Sequence, residues 1–184
     1  MAVTAEAGDG QDAVKVIQKD PCDVVLLDLS LPNKNGMDVL KQIHTESPRL
    51  PVLVLSMHSE DQYAVRVLRA GAAGYLTKES APARLVQAIR KVVRGGKYVS
   101  PTLAERLVYD LNADSTKAPH QILSDREYQV LCMIASGKTV TMIAVELSLS
   151  VKTVSTYRVR ILEKLNMKNN AELTRYAIKE GLVD

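Results

Sequence analysis

The stretch TVTMIAVELSLSVKTVSTYRVRILEKLNMK, residues 139–168, decides the fold of the carboxyl-terminal part of the chain. Its apolar spacing predicts a first helix from Val140 to Leu147, followed by a turn over Ser148 to Ser150. A second helix begins behind Ser150, whose hydroxyl can accept a hydrogen bond from a free amide of the first turn. Apolar side chains recur along this second helix at three- and four-residue spacing and predict its buried stripe: Val154, Tyr157, Ile161 and Leu165.

Between these apolar positions, the second helix carries basic and hydroxyl side chains. Residues 151–168 hold five basic side chains and one Glu, although the whole chain has a net charge of only +3. Such a local basic surface supplies phosphate partners, and small side chains beside it can contact base edges in the major groove. We therefore predict a DNA-binding helix-turn-helix over about residues 140–159. The predicted DNA contacts are Lys152, Thr153, Ser155, Thr156, Arg158, Val159, Arg160 and Lys164.

A basic helix with only a solvated face is the alternative, and it leaves the turn and the capped second helix unexplained. The segment that starts at Leu123 resembles the four-helix DNA-binding domain of the LuxR/NarL/FixJ family. The matching motifs are LS-x-RE, IA-x-G, KTV and KLN. The resemblance implies a DNA-binding domain over residues 122–184, with phosphate contacts from the basic residues and base contacts from Ser155, Thr156 and Val159.

The resemblance also implies a homodimer on double-stranded DNA, formed through the last helix, from Ala171 to Glu180. Two recognition helices would then lie one turn of DNA apart, on a repeated promoter site. The alternative for this helix is packing within its own domain, partly on the recognition helix.

Residues 1–97 alternate short β-rich runs with helical patterns, which predicts a doubly wound parallel sheet with helices on both faces. The predicted strands are Val3 to Ala7, Asp23 to Leu27, Val52 to Ser56 and Gly74 to Leu76. The predicted helices are Gln11 to Lys19, Gly36 to Glu46, Asp61 to Ala70 and Ala83 to Arg94. Chemistry gathers at the carboxyl ends of the strands in such sheets, and there the sequence places Asp28, Ser56 and Lys78.

These three residue types suit phosphoryl chemistry. Asp28 can attack a phosphodonor and form an acyl phosphate, since carboxylates serve as covalent carriers. The Ser56 hydroxyl can donate to one phosphoryl oxygen, and the Lys78 ammonium can pair with another. Each residue alone is typical of a turn, a cap or a solvated position, so the prediction depends on their combination.

The sequence around these residues resembles the receiver domain of two-component response regulators. The matching segments are VVLLDLSLPNKNG, with Pro32 and Gly36 in their family positions, VLVLSMHSE and AGAAGYLTKE. The resemblance implies a flavodoxin-like receiver over residues 1–97 and phosphorylation of Asp28. A sensor histidine kinase and RNA polymerase are the partners that it implies.

By the same resemblance, Ser56 and Tyr75 couple phosphorylation to a rearrangement of the neighbouring surface, and Lys78 completes the site. Tyr75 can in addition serve as a half-buried aromatic residue of the sheet. Family receivers begin with a strand that ends in two acidic residues, whereas the first residues of this chain include VTAEAGDG, residues 3–10, which resembles the second strand. The first strand and first helix of the family are therefore expected to be missing.

Mg²⁺ is the cofactor that the family implies, and its ligands here would be the Asp28 carboxylate and the Ser30 carbonyl. Because the acidic pair is not matched, we expect an incomplete metal site and impaired phosphorylation. The first strand of the family, which lies inside the sheet, has no counterpart in this sequence. We therefore expect a rearranged receiver, and strand or domain exchange between two copies is one way to achieve it.

Residues 98–121 are predicted to be a linker with a short helix, marked by Leu103, Leu107, Val108 and Leu111, and a polar tether. The tether would let the receiver cover or release the recognition helix. Neither a signal sequence nor an apolar stretch of about 20 residues is present, so we expect a cytoplasmic protein without membrane contact.

Cys22 and Cys132 are expected to be reduced core thiols, and His44, His58 and His120 to be isolated surface or core residues. The sequence thus predicts a DNA-binding transcriptional response regulator, not an enzyme. The alternative is a phosphorylation-independent or dominant-negative module that pairs with intact regulators. An aspartyl-phosphate hydrolase is disfavoured, because position 30 holds Ser instead of a second acidic residue.

Overall fold

The computed structural model describes residues 1–31, 34–57, 60–112 and 118–183, without the side chains of residues 61, 62, 106 and 108–112. The predictions for Pro32, His58 and most of the polar tether fall outside these residues, as do the side chains of Val108 and Leu111. The chain divides into two compact units, Met1–Asn112 and Ala113–Asp184. The first is an α/β unit and the second is entirely helical, which confirms the predicted fold class.

The sheet of the described residues contains three parallel strands in the order β1-β2-β3. These are β1 (Val25–Asp28), β2 (Val52–Ser56) and β3 (Gly74–Thr77). Each strand is a nearly continuous apolar run, as expected where helices cover a parallel sheet. The register places Asp28 beside Leu55 and Ser56 beside Thr77, so all three strands end at one edge.

Four helices connect and cover these strands: α1 (Gly10–Lys19), α2 (Gly36–Glu46), α3 (Glu60–Arg69) and α4 (Ala81–Val93). The α1 helix packs on α2, α3 packs on β3, and α4 packs on β2 and β3. Side chains cap the first two, since Asp9 accepts hydrogen bonds from the amides of Gln11 and Asp12, and Asn35 accepts one from Met37. Leu53, Leu76 and Ala88 form a buried core between α4 and the sheet.

The predicted strand from Val3 to Ala7 is wrong. Residues 1–7 belong to no helix or strand, and Val3 is 78% exposed. A strand forms only where its backbone finds a partner and one face is buried, and β1 pairs with β2 alone among the described strands. The β-rich composition of this segment is therefore not sufficient to make it a strand.

A fifth helix, α5 (Pro101–Asn112), belongs to the first compact unit, although the sequence placed it in the linker. It packs on α3 and buries Leu103. The Ser100 hydroxyl caps it by accepting from the amide of Leu103 at 3.1 Å, and donates to the carboxylate of Glu60. Leu103, which belongs to the apolar face that the spacing predicts, is thus part of the core of the first unit.

The second unit begins with a 3-10 turn (Pro119–Ile122) and continues with α6 (Asp125–Ala135), α7 (Val140–Glu146), α8 (Val151–Leu165) and α9 (Asn170–Lys179). The α7 helix begins at the predicted residue, and α8 begins directly after Ser150, as predicted, and continues to Leu165. The core of the second unit is built from buried side chains of all four helices: Leu131, Ile143, Ile161 and Leu173.

The α9 helix packs mainly on α6 and buries Leu173 and Ala177, and it touches the recognition helix through the hydrogen bond from Arg158 to Asn170, so only a minor part of the predicted packing on that helix is present. Sequence spacing identifies the buried face of a helix but not the element that covers it. Among the helices of the described residues, none has the length and apolar character that a membrane crossing requires.

Candidate phosphoacceptor site and DNA interface

Asp28 and Lys78 form an ion pair at the carboxyl edge of the sheet. Lys78 Nζ lies 2.5 Å from Asp28 Oδ2, and the Ser30 amide donates to Asp28 Oδ1 at 2.9 Å. The side chains of Asp28 and Lys78 are 30% and 39% exposed, so a small phosphodonor can reach them. The structure thus brings together two predicted site residues that are 50 positions apart.

The backbone around this pair is closely packed. The Lys78 amide donates to the Ser56 carbonyl at 2.7 Å, which fixes the residue after β3 against the end of β2. Gly36, at the start of α2, lies against the phosphoacceptor loop. A Cβ atom there would lie 2.5 Å from the Asp28 carbonyl oxygen and 2.6 Å from Leu29 Cα. The predicted family position of Gly36 therefore has a steric reason.

Ser56 and Tyr75 lie in the interior of the first unit. Both are fully buried, and their side chains are hydrogen-bonded to each other. Burial raises the pKa of the Tyr75 phenol far above its usual value, and the hydrogen bond with Ser56 offsets only part of this effect. Tyr75 is thus a neutral, fully buried residue, more deeply placed than the half-buried aromatic considered from sequence.

Cysteine, histidine and carboxylate side chains do not gather into a metal site in the described ranges: no group of three or more of them could hold an ion. Cys22 is half-buried, and burial raises the pKa of its thiol, while Cys132 is buried. His44 is exposed, and His120 Nδ1 lies 2.9 Å from the Tyr176 hydroxyl. Cys132 thus lies in the core as predicted, whereas Cys22 is only partly buried.

The recognition helix α8 begins as predicted. The Ser150 hydroxyl accepts from the Thr153 amide at 3.0 Å, and the two hydroxyl groups lie 2.7 Å apart. The Thr156 hydroxyl donates to the Lys152 carbonyl at 2.9 Å. Most of the predicted DNA contacts are exposed on α8: Lys152, Ser155, Thr156, Val159 and Arg160.

Two predicted phosphate contacts instead have partners within the domain. Arg158 Nε donates to Asn170 Oδ1 at 2.6 Å, at the start of α9. Lys164 Nζ donates to Glu127 Oε2 at 2.6 Å, in the first turn of α6. Glu127 is the last residue of the LS-x-RE motif, to which the sequence assigned no role of its own. The capping-box spacing from Ser124 to Glu127 is the signal that could have identified it as a structural residue.

An α/β unit with an accessible Asp-Lys pair, joined to a helix-turn-helix unit, defines the class of two-domain DNA-binding regulators. Two family models match the chain in that order. The response regulator receiver domain matches residues 1–90, and the bacterial regulatory proteins of the luxR family match residues 121–177.

Relatives match over nearly the whole chain. The response regulator UvrY of Escherichia coli (strain K12) is 39% identical over 181 residues, which cover 98% of this chain and 83% of UvrY. The response regulator GacA of Pseudomonas protegens is 38% identical over 184 residues, which cover 100% of this chain and 86% of GacA. The chain belongs to the LuxR family of two-component response regulators.

Solved structures agree with this conclusion. RcsB from Salmonella enterica serovar Typhimurium, bound to promoter rprA in the presence of phosphomimetic BeF3⁻, has 28% identity and a TM-score of 0.59 and covers 95% of this chain and 84% of its own. A LuxR-family two-component response regulator from Aurantimonas has 34% identity and a TM-score of 0.54, covering 60% of this chain and 79% of its own. The predicted family and the predicted function of a DNA-binding response regulator are confirmed, and the interaction-module alternative is not favoured.

Proposed function

We propose that phosphorylation of Asp28 by a sensor histidine kinase controls DNA binding by α8 and thereby transcription. The observation that supports this proposal is the Asp28–Lys78 pair at the carboxyl edge of the sheet. It combines a partly exposed carboxylate with a cation that can pair with an incoming phosphoryl group. Ser56, whose carbonyl accepts from the Lys78 amide, is buried together with Tyr75, and its hydroxyl can respond to the change in charge.

The reaction follows from these groups. A carboxylate oxygen of Asp28 attacks the phosphorus of a phosphohistidine, the P–N bond breaks, the imidazole nitrogen takes a proton and an acyl phosphate forms. Lys78, which neutralises the free carboxylate, can move to a phosphoryl oxygen. The Ser56 hydroxyl can then donate to another phosphoryl oxygen, which would change its hydrogen bond with Tyr75.

Family receivers typically bind Mg²⁺ at the phosphorylation site. In this chain the proposed protein ligands are the Asp28 carboxylate and the Ser30 carbonyl. These two oxygens fill little of the near-octahedral shell that Mg²⁺ requires, and both Asp28 oxygens already accept hydrogen bonds. The described residues thus fit the ion poorly.

The proposed output is sequence-specific binding of a homodimer to a promoter repeat. The homodimer can form by strand or domain exchange. The bound dimer would contact RNA polymerase. The exposed face of α9, which includes Ile178 at 53% exposure, supports a role of this helix in the dimer. A regulator that binds chromosomal DNA and accepts phosphate from a kinase would act in the cytoplasm. Residues 98–121 remain the proposed connecting segment, with α5 anchored on the receiver.

DNA binding is tested by measuring affinity over a series of salt concentrations. The probe is a duplex that the wild-type chain enriches from a random-sequence pool. Lys152, Arg158 and Arg160 are the proposed phosphate contacts, so Arg160→Ala should weaken binding to every duplex and lower the log-log salt slope by about one. An unchanged slope would refute the assignment of Arg160.

Base reading is tested with a second variant on the same probe. Thr153, Ser155, Thr156 and Val159 are the proposed residues near base edges. Thr156→Ala should leave the salt slope unchanged and relax the preference at one base position by about 1–3 kcal/mol. An unaltered preference at every position would remove Thr156 from the reading surface.

A further inference from the structure

We infer that Glu127 and Lys164 form a positioning pair that holds the recognition helix in its DNA-reading orientation, so that Lys164 acts within the domain and not on a DNA phosphate. This inference deepens the proposed DNA-binding function. It changes the role that the sequence suggested for Lys164. Glu127, on a helix outside the helix-turn-helix, becomes a residue on which DNA reading depends.

The geometry of the pair joins two distant parts of the second unit. Lys164 lies in the last turn of α8, and Glu127 lies in the first turn of α6, 37 residues earlier in the chain. Their charged atoms are 2.6 Å apart. The Glu127 side chain is only 4% exposed, whereas that of Lys164 is 41% exposed. The contact therefore anchors the carboxyl end of α8 to a carboxylate in the domain interior.

Glu127 is also fixed by its own helix. Glu127 Oε2 accepts from the Ser124 amide at 2.8 Å, and the Glu127 amide donates to the Ser124 hydroxyl at 3.3 Å. The same carboxylate oxygen thus receives both the capping hydrogen bond and the Lys164 ammonium. Burial raises the pKa of Glu127, but the hydrogen bonds from Lys164 and Ser124 outweigh it and hold the pKa below its usual value.

The energetics make the pair difficult to break. A buried carboxylate that loses its cation remains as an uncompensated charge, which is strongly destabilising. Transfer of Lys164 to a DNA phosphate would leave Glu127 in that state. The ammonium is also already neutralised at short range, so it contributes little to counterion release on DNA.

A second polar contact ties the middle of α8 to α9, since Arg158 donates to Asn170. The amino end of α8 is fixed by its Ser150 cap, next to α7. The Glu127–Lys164 pair supplies the corresponding attachment at the carboxyl end. Helix orientation sets which side chains reach base edges, so loss of this attachment should affect sequence discrimination.

The test uses full-length Lys164→Met, with Arg160→Ala as the matched control. Affinity is measured over a salt series for the duplex enriched by the wild-type chain and for a scrambled duplex of equal length. Lys164→Met should weaken binding to the enriched duplex by about tenfold or more. The ratio of the affinity for the enriched duplex to that for the scrambled duplex should fall, and the salt slope should stay unchanged. A slope reduced by about one, as for Arg160→Ala, with the affinity ratio retained would overturn the inference.

Two further variants separate positioning from simple loss of folding. Lys164→Arg keeps the charge and should restore the ratio of affinities. The double variant Glu127→Gln, Lys164→Met removes both charges, avoids the unpaired carboxylate and should remain folded. If that folded double variant reads DNA like the wild type, the pair does not position α8 and the inference fails.

A readout without DNA keeps this inference separate from the proposed function. Nuclear magnetic resonance titration of the Glu127 side-chain carboxyl should show its pKa rising in Lys164→Met and staying low in Arg160→Ala. If the pKa of Glu127 is unchanged in Lys164→Met, the Glu127–Lys164 ion pair does not exist in solution and the inference fails, even if DNA binding is intact. A raised pKa together with absent binding by the wild-type chain would refute the DNA-binding proposal and leave the pair in place.

Discussion

Lys78 Nζ lies 2.5 Å from Asp28 Oδ2, so a lysine that follows β3 neutralises the carboxylate that ends β1. The parallel register makes this contact possible, because strands that run in one direction bring their carboxyl ends to one edge. A phosphoryl group on Asp28 would meet this cation first. The pair therefore links the chemistry of the site to the topology of the sheet.

Removal of this cation should slow phosphorylation. Lys78→Ala takes away the charge that stabilises developing negative charge on the phosphoryl oxygens. We expect the rate of phosphoryl transfer from acetyl phosphate to fall by roughly 10²-fold, an effect typical of removing one electrostatic contact. The matched control is Lys19→Ala, on the exposed last turn of α1. Equal rates in the two variants would exclude a role of Lys78 in the transfer.

Gly36→Ala should disturb the phosphoacceptor loop. The new methyl group would collide with the Asp28 carbonyl oxygen and Leu29 Cα, which are backbone atoms and cannot move by rotation of a side chain. We expect a loss of about 1–3 kcal/mol in the free energy of unfolding, the usual range for overpacking. Urea denaturation measures it, with Gly8→Ala as control because a Cβ at Gly8 meets no atom within 4 Å. A neutral Gly36→Ala variant would show that the loop adapts.

Tyr75→Phe should remove the hydrogen bond between the phenol and Ser56 while keeping the ring buried. A buried hydrogen bond contributes about 1 kcal/mol, so the free energy of unfolding should drop by that amount. Tyr98→Phe is the comparison, since Tyr98 is only partly buried beside the same core. If Tyr75→Phe matches the wild type in urea denaturation, this hydrogen bond adds nothing to stability.

Acid should weaken the second unit through Glu127. Its pKa is depressed in the folded state, because the Lys164 and Ser124 hydrogen bonds outweigh burial. The resulting stability is fully present above the usual pKa of a glutamate, about 4.3, and is lost as the pH falls through the lower folded value. Unfolding of the chain followed from pH 7 downward should show this loss. Glu127→Gln should flatten that part of the profile, and an unchanged profile would contradict the assignment.

Much of the fold follows from sequence periodicity. Several local signals correspond to elements of the structure. They are the apolar runs of β2 and β3, the caps at Ser150 and Ser124, and the three- and four-residue apolar spacing in α8. The proximity of Asp28 and Lys78 was also predictable, because topology alone brings strand ends together. Local signals are thus sufficient to predict a helix, a strand or a contact wherever a rule of sheet or helix geometry determines which elements are neighbours.

The errors arose where the partner is set by tertiary packing. Val3 to Ala7 has strand-like composition but pairs with no described strand. The α9 helix has a clear apolar face that packs mainly on α6, and the recognition helix is only a minor neighbour. The assignment of Lys164 to a DNA phosphate stays a prediction, although a buried carboxylate from another helix lies within 2.6 Å of its ammonium. Spacing along one helix gives no information about such a carboxylate.

Mass spectrometry of the chain after treatment with acetyl phosphate and Mg²⁺ tests the central claim most directly, with sizing of the same sample and Asp28→Asn as the control. The account predicts a labile phosphoryl adduct on Asp28 that is absent from Asp28→Asn and accompanies a change in oligomeric state and in affinity for the enriched duplex. A wild-type chain that binds DNA but acquires no adduct, or an equal adduct on Asp28→Asn, would contradict Asp28 as the phosphorylated switch.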